Sequence, residues 1–212
     1  MKIKRIAALC SRAGIFQLWN KIDSEGVVSQ WLGDGNATYP LNGLPLLDKD
    51  SLCAMFDIPE KKREKLIIQY EDMPETIDTA DSDPLEILLE EKEMTIGYEG
   101  MQMIPLETTD GVLFIGEQYL EPLADEMDLL SLYERKTPKG APYVAVKAGM
   151  MLRGIIIPYN VVTDKKFIKR LELLLDDSKR ELERIIAKAS AEADQEDGQQ
   201  TIYERADENE EG

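Results

Sequence analysis

Residues 111–159 read as one strand, one helix and three further strands, and no other stretch of the chain constrains the fold as tightly. Gly111-Val112-Leu113-Phe114-Ile115 is an apolar run that follows the turn signal Thr108-Thr109-Asp110-Gly111. Leu120, Leu123, Ala124 and Met127 then recur at i, i+3, i+4 and i+7, the spacing of one helix face. Pro122 sits among them, which a helix tolerates only in its first turn. Strands are expected at 129–133, 143–147 and 151–157, separated by Pro138-Lys139-Gly140 and by Ala148-Gly149. A β-α-β-β-β unit of this size must bury its helix on a sheet face, so it implies another half to complete it.

The N-terminal region supplies a partial echo. Ile3, Ile6, Ala7 and Cys10 define a buried helical stripe, with Arg5, Ala8 and Arg12 on the opposite side and Gly14 at the C-cap position. Strands at 15–22 and 27–32 flank Ser24-Glu25-Gly26, and 38–41 could add a third, giving α-β-β-β. Gly33-Asp34-Gly35-Asn36 lies between two of these strands and reads as a hairpin turn rather than a phosphate loop. Trp19 and Trp31 read as core or half-buried sheet surface. Asp48 or Asp50 can cap a short helix carrying Leu52, Cys53, Met55 and Phe56, and a strand resumes at 66–70. Residues 71–84 read as a mobile acidic loop. The fold class expected is α+β, with antiparallel sheets and short helices over residues 1–161.

Residues 114–123, Phe-Ile-Gly-Glu-Gln-Tyr-Leu-Glu-Pro-Leu, resemble the half-repeat of the DNA sliding clamps, the family of the bacterial polymerase III beta subunit and proliferating cell nuclear antigen. The shared pattern is an aromatic strand end followed by Tyr-Leu at the opening of a short helix. Tyr143-Val144-Ala145-Val146 and Ile155-Ile156-Ile157-Pro158-Tyr159 resemble the closing strands, where a proline follows an apolar run. The resemblance covers about a quarter of the chain. It implies a non-catalytic processivity protein for DNA replication, of the kind a phage or mobile element encodes, with replication proteins as partners. It also implies a partner cleft at the closing strand, which falls on Ile157 and Pro158.

Charge bears on that expectation. The net charge of −17 is unevenly spread. Residues 71–134 hold one basic and nineteen acidic side chains, whereas 135–170 hold nine basic and one acidic. Such blocks can leave a basic face on an acidic body. The first twenty residues contain Lys2, Lys4, Arg5 and Arg12 and no acid. On a clamp, Lys2, Arg5 and Arg12 would face double-stranded DNA by phosphate neutralisation, without reading sequence. A solvated polar face is the competing reading of the same residues.

The chain has no histidine, which removes Ser-His-Asp and Cys-His arrangements and His-containing zinc sites. It has no G-x-x-x-x-G-K loop and no G-x-G-x-x-G turn. Asp78, Asp81 and Asp83 form a tight acidic cluster but lack the glycine and distal Glu of an EF-hand loop, so no metal, cofactor or catalytic residue is assigned. Cys10 and Cys53 read as small core residues of a reducing, cytoplasmic compartment. No apolar run approaches the length of a membrane span.

Beyond Pro158 the period changes. Ile168, Leu171, Leu175, Ser178, Leu182, Ile185 and Ala189 are spaced alternately by three and four, an a/d seam over three heptads. An amphipathic helix is expected over 162–190, capped by Thr163 or Asp164, with Ile168, Leu171, Leu175, Leu182 and Ile185 available for self-association or for packing on the domain. From 191 to 212 acidic residues dominate, and an acidic disordered tail is expected. The alternative to a DNA clamp is an acidic oligomeric adaptor that binds a protein partner without touching DNA.

Overall fold

The computed structural model describes residues 2–98, 100–159 and 165–207, with side chains up to Lys188. The chain divides into two units, Met1–Asn160 and Val161–Gly212. The first is an α+β domain. It opens with helix α1 (Ile3–Ala13) and strands β1 (Ile15–Ile22), β2 (Val28–Gly33) and β3 (Ala37–Pro40). Helices α2 (Lys49–Met55) and α3 (Glu60–Arg63) lead to β4 (Ile67–Asp72), β5 (Ile87–Leu88), β6 (Glu90–Glu91), β7 (Ile96–Tyr98), β8 (Met101–Thr108) and β9 (Gly111–Gly116). A 3-10 segment, Glu117–Leu129, then precedes β10 (Leu130–Lys136), β11 (Pro142–Ala148) and β12 (Met151–Ile156).

One eight-stranded sheet runs in the order β4-β1-β2-β3-β12-β11-β10-β5. Its two halves, α1-β1-β2-β3 and 3-10-β10-β11-β12, meet at the centre, where β3 and β12 pair antiparallel through Thr38 with Ile155 and Ala37 with Ile156. All pairings in this sheet are antiparallel except β1 with β4. A smaller sheet, β6-β8-β7 with β9 on β8, was not anticipated over 85–110. At the junction Gly154 admits the ring of Tyr39, since a Cβ there would lie 2.9 Å from Tyr39 Cδ1. Tyr39 in turn donates its hydroxyl to Tyr119 O at 2.6 Å, tying the first half to the second.

Period-two alternation divides the large sheet into two buried faces. Leu18, Leu32, Val144, Val146 and Ile156 join one core with Ile6, Leu9 and Cys10 of α1 and Leu120 and Leu123 of the 3-10 segment. Trp31, Tyr143, Ala145 and Ile155 join a second core with Met73, against which Trp19, Ile77 and Tyr133 pack. Both helical elements therefore contribute to the same core. The stripe of α1 is Ile6, Leu9 and Cys10, so Leu9 takes the place expected for Ile3, which is half-buried. Gly14 ends α1 at φ 74°, in the left-handed region, and its N–H returns to Cys10 O.

Pro122 sets the form of the second helical element. It lacks an N–H and its ring blocks the carbonyl four residues back, so the expected α-helix is replaced by 3-10 turns. The buried residues then follow a period of three, Tyr119 with Pro122 and Leu120 with Leu123, while Met127, expected on the buried face, is exposed.

The acidic stretch 71–84, expected to be all loop, begins with the last two residues of β4, and from Met73 it is an anchored loop. Met73 N donates to Asn20 O at 2.7 Å and Leu152 N donates to Asp81 Oδ1 at 2.8 Å. Arg135, fully buried, donates to Ala80 O at 2.8 Å and to Glu86 Oε2 at 2.6 Å. Lys147 donates to Glu86 Oε1 at 2.6 Å, and Asp78 N donates to the Tyr143 hydroxyl at 3.1 Å. The cations that seat this loop stand 49 and 61 residues from Glu86 along the chain, so its anchoring could not be read from the local sequence.

The second unit is one helix, α4 (Lys165–Asp207). It runs through residues expected to form a disordered tail. Ala, Glu and Gln, three each over 191–207, are strong helix formers, so the backbone continues past the end of the apolar stripe. The expected caps Thr163 and Asp164, and tail residues 208–212, lie outside the described residues. No helix among the described residues is long and apolar enough to cross a membrane.

Candidate functional site

The end of β12 is where the chain leaves the large sheet. Ile157 N still donates to Asn36 O at 2.7 Å. Pro158 has no N–H to continue the ladder, and Tyr159 N donates instead to Phe114 O at 2.7 Å, bridging to β9. This crossing leaves Ile157 43% exposed between two clefts. One, of about 250 Å³, is lined by Trp19, Thr38, Met73, Ile77, Ile155 and Ile157. The other, of about 290 Å³, is lined by Asn36, Met101, Tyr119, Ile157, Pro158 and Tyr159. The residues carried over from the clamp resemblance, Ile157 and Pro158, thus both border clefts.

The first cleft is predominantly apolar, with Asn36, Thr38 and Thr76 as the polar residues of its lining. Thr38 Oγ1 is buried without a hydrogen-bond partner. The arrangement suits an apolar side chain. Ile157 was named from the sequence only through the clamp resemblance of the closing strand. Sequence reasoning missed Trp19, Thr38 and Met73 as cleft residues, because they arrive from three other segments and share no sequence motif.

A larger cleft of about 510 Å³ lies between the 3-10 segment and the smaller sheet, lined by Arg5, Lys92, Glu93, Glu117, Glu121 and Met127 among others. Its walls mix both signs of charge, which favours no single class of charged ligand.

Lys2, at the N-cap of α1, and Arg5 and Arg12 within it all contact the 3-10 segment, whereas Lys4 is exposed. Lys2 Nζ lies 2.6 Å from Asp125 Oδ1, and that pairing, first through a hydrogen bond, holds Asp125 below the usual carboxylate range. Arg5 donates to Glu121 O at 2.8 Å. Arg12 donates to Gln118 Oε1 at 2.9 Å and stands 3.9 Å from Glu121 Oε2. The three cations expected to face phosphates therefore face carboxylates, carbonyls and an amide of their own chain. These contacts lie at the surface and are screened by solvent, whereas burying Ile6 or Leu9 is worth roughly 2 kcal/mol. Burial holds the helical pair together, and the cations neutralise it.

The remaining candidates are structural. Burial, then the negative charge of Asp34, push the Cys10 thiol far above its ordinary range, so it is no thiolate nucleophile, and Cys53 is buried beside the same core. Asp78 Oδ1 and Asp83 Oδ1 accept from Ala80 N and Leu85 N within the loop, and no group of three His, Cys, Asp or Glu side chains among the described residues is placed to hold a metal ion. On α4, Ile168 and Leu171 are half-buried, whereas Leu175, Leu182 and Ile185 are exposed.

No family model, curated protein or solved structure matches this chain.

Proposed function

We propose that this chain is a non-catalytic adaptor that grips an apolar segment of a protein partner in the cleft beside Ile157, without DNA contact through α1. The observation that carries the proposal is the cleft itself: an exposed Ile157 and an apolar wall of Trp19, Met73 and Ile155. The intramolecular pairing of Lys2, Arg5 and Arg12 supports the absence of DNA from this mechanism. The free, buried Cys10 and Cys53 support residence in a reducing, cytoplasmic compartment.

The test is selection from an array of hexapeptides that each carry one central Leu, Ile or Phe, read on a Trp31→Phe background so that Trp19 reports. Selected peptides should shift Trp19 emission, and Ile157→Asp should weaken them by about tenfold or more, the worth of one desolvated apolar contact turned into a buried charge. Failure to select any peptide, or equal binding by Ile157→Asp, would overturn the assignment.

A second reading, a DNA sliding-clamp-like replication protein, is favoured by one observation. Two α-β-β-β halves join at β3 and β12, with both helical elements in one core, as paired half-repeats would be. It requires sequence-independent duplex binding that falls steeply with salt. Anisotropy of a labelled 30-base-pair duplex at low salt separates the two readings, because the adaptor leaves the signal unchanged.

A further inference from the structure

The apolar seam of α4 is laid out for a second copy of the same helix. Leu174, Leu175, Leu182 and Ile185 are each more than half exposed. With Ile168, Leu175 and Leu182 at a and Leu171, Ser178 and Ile185 at d, two partners can be written, parallel or antiparallel. In a parallel, in-register pair Ser178 meets Ser178 at the centre of the seam. Glu181 then faces Ile186 across the flank, and Lys179 faces Leu174, so no opposite charges meet.

An antiparallel pair centred between Asp176 and Asp177 is different. Ile168 then layers on Ile185, Leu171 on Leu182, and Leu175 on Ser178, each twice by symmetry, so neither serine meets its copy. At the e positions Glu172 of each helix faces Lys179 of the other, giving two attractive pairs. Neighbouring registers are disfavoured by the same charges. Sliding by one heptad one way brings Lys179 against Lys179, and the other way brings Glu172 against Glu172. The helix is continuous over the whole overlap, and Glu172, Ser178 and Lys179 are exposed.

The geometry points to an antiparallel homodimer of this chain, formed through residues 168–185 of α4 and set in register by Glu172 and Lys179. The inference is independent of what the cleft beside Ile157 holds.

Sedimentation equilibrium of the full chain, wild type against Glu172→Lys and Lys179→Glu, tests it. The wild type should dimerise, and either reversal, which turns both pairs repulsive, should weaken the dimer by roughly tenfold or more. An equimolar mixture of the two variants should recover wild-type affinity, since in the mixed dimer both pairs between positions 172 and 179 again join opposite charges. A monomeric wild type, reversals that leave association unchanged, or a mixture no tighter than either variant alone would overturn the antiparallel pair. Both side chains are on the surface, so folding should be unaffected, and unchanged circular dichroism of each variant checks this.

Discussion

The two faces of the large sheet are covered by different physical means. On one, α1 and the 3-10 segment press buried Ile6, Leu120 and Leu123 onto Leu18, Val144 and Val146, and surface ion pairs only decorate the seam. On the other, a loop too acidic to bury much of itself is held by a few directed contacts. Arg135 and Lys147 converge on Glu86, Lys147 also stands 4.8 Å over the Tyr133 ring, and Tyr143 and Asp81 hold the loop backbone. The difference teaches that apolar cover degrades gradually with lost area, whereas ionic cover fails when one member of the cluster is removed.

The strongest way to break the comparison is Glu86→Ala. It strands two cations that are nearly or fully buried, so a loss of about 3–5 kcal/mol is expected by denaturant unfolding. Hydrogen exchange should rise first over 73–86 and leave the helix-face core protected; uniform loss of protection would mean the faces are not separable. Next, Leu123→Ala should cost about 2–5 kcal/mol through the cavity it leaves, with global rather than local exchange. If it opened the acidic loop first, the two covers would be coupled.

Acid should reproduce the first variant. Burial raises the Glu86 carboxyl, but the hydrogen bonds from Lys147 and Arg135 outweigh it and leave the group below its ordinary range. A carboxyl depressed in the folded state stabilises above its unfolded value, around 4.5, and that contribution fades as pH falls through the lower, folded value. Loop protection should therefore drop below about pH 4.5 in the wild type and show no such step in Glu86→Gln. The smallest effect expected is that of Tyr143→Phe, which removes the hydroxyl that accepts from Asp78 N. A loss of about 1 kcal/mol, read as a lower denaturant midpoint with unchanged slope, is expected.

Local patterns in the chain were the readable ones. The alternation of Tyr143, Val144, Ala145 and Val146, the Gly14 cap and the strands around the Asp34 turn follow from period and turn chemistry, and the structure has them. Pro122 announced a disturbance, though its outcome, 3-10 turns with a three-residue burial period, depends on the sheet beneath it. What sequence could not supply were pairings across distance. Arg135 and Lys147 looked like part of a basic block and serve an acidic loop, and Lys2 and Arg12 looked free yet meet Asp125 and Gln118. The same holds for the cleft beside Ile157, to which Trp19 and Thr38 come from separate strands without a shared motif.

The central pairing of β3 with β12 has a consequence for how the polypeptide is made. β3 ends at Pro40, and its partner begins only at Met151, so the nascent chain carries an unpaired strand edge while everything between is synthesised. Neither half has its full complement of hydrogen bonds until β12 emerges, which makes closure a late, non-local event. Ribosome-bound chains ending near residue 150 should be the most adhesive species this protein passes through, and release of the last strand should end that exposure in one step.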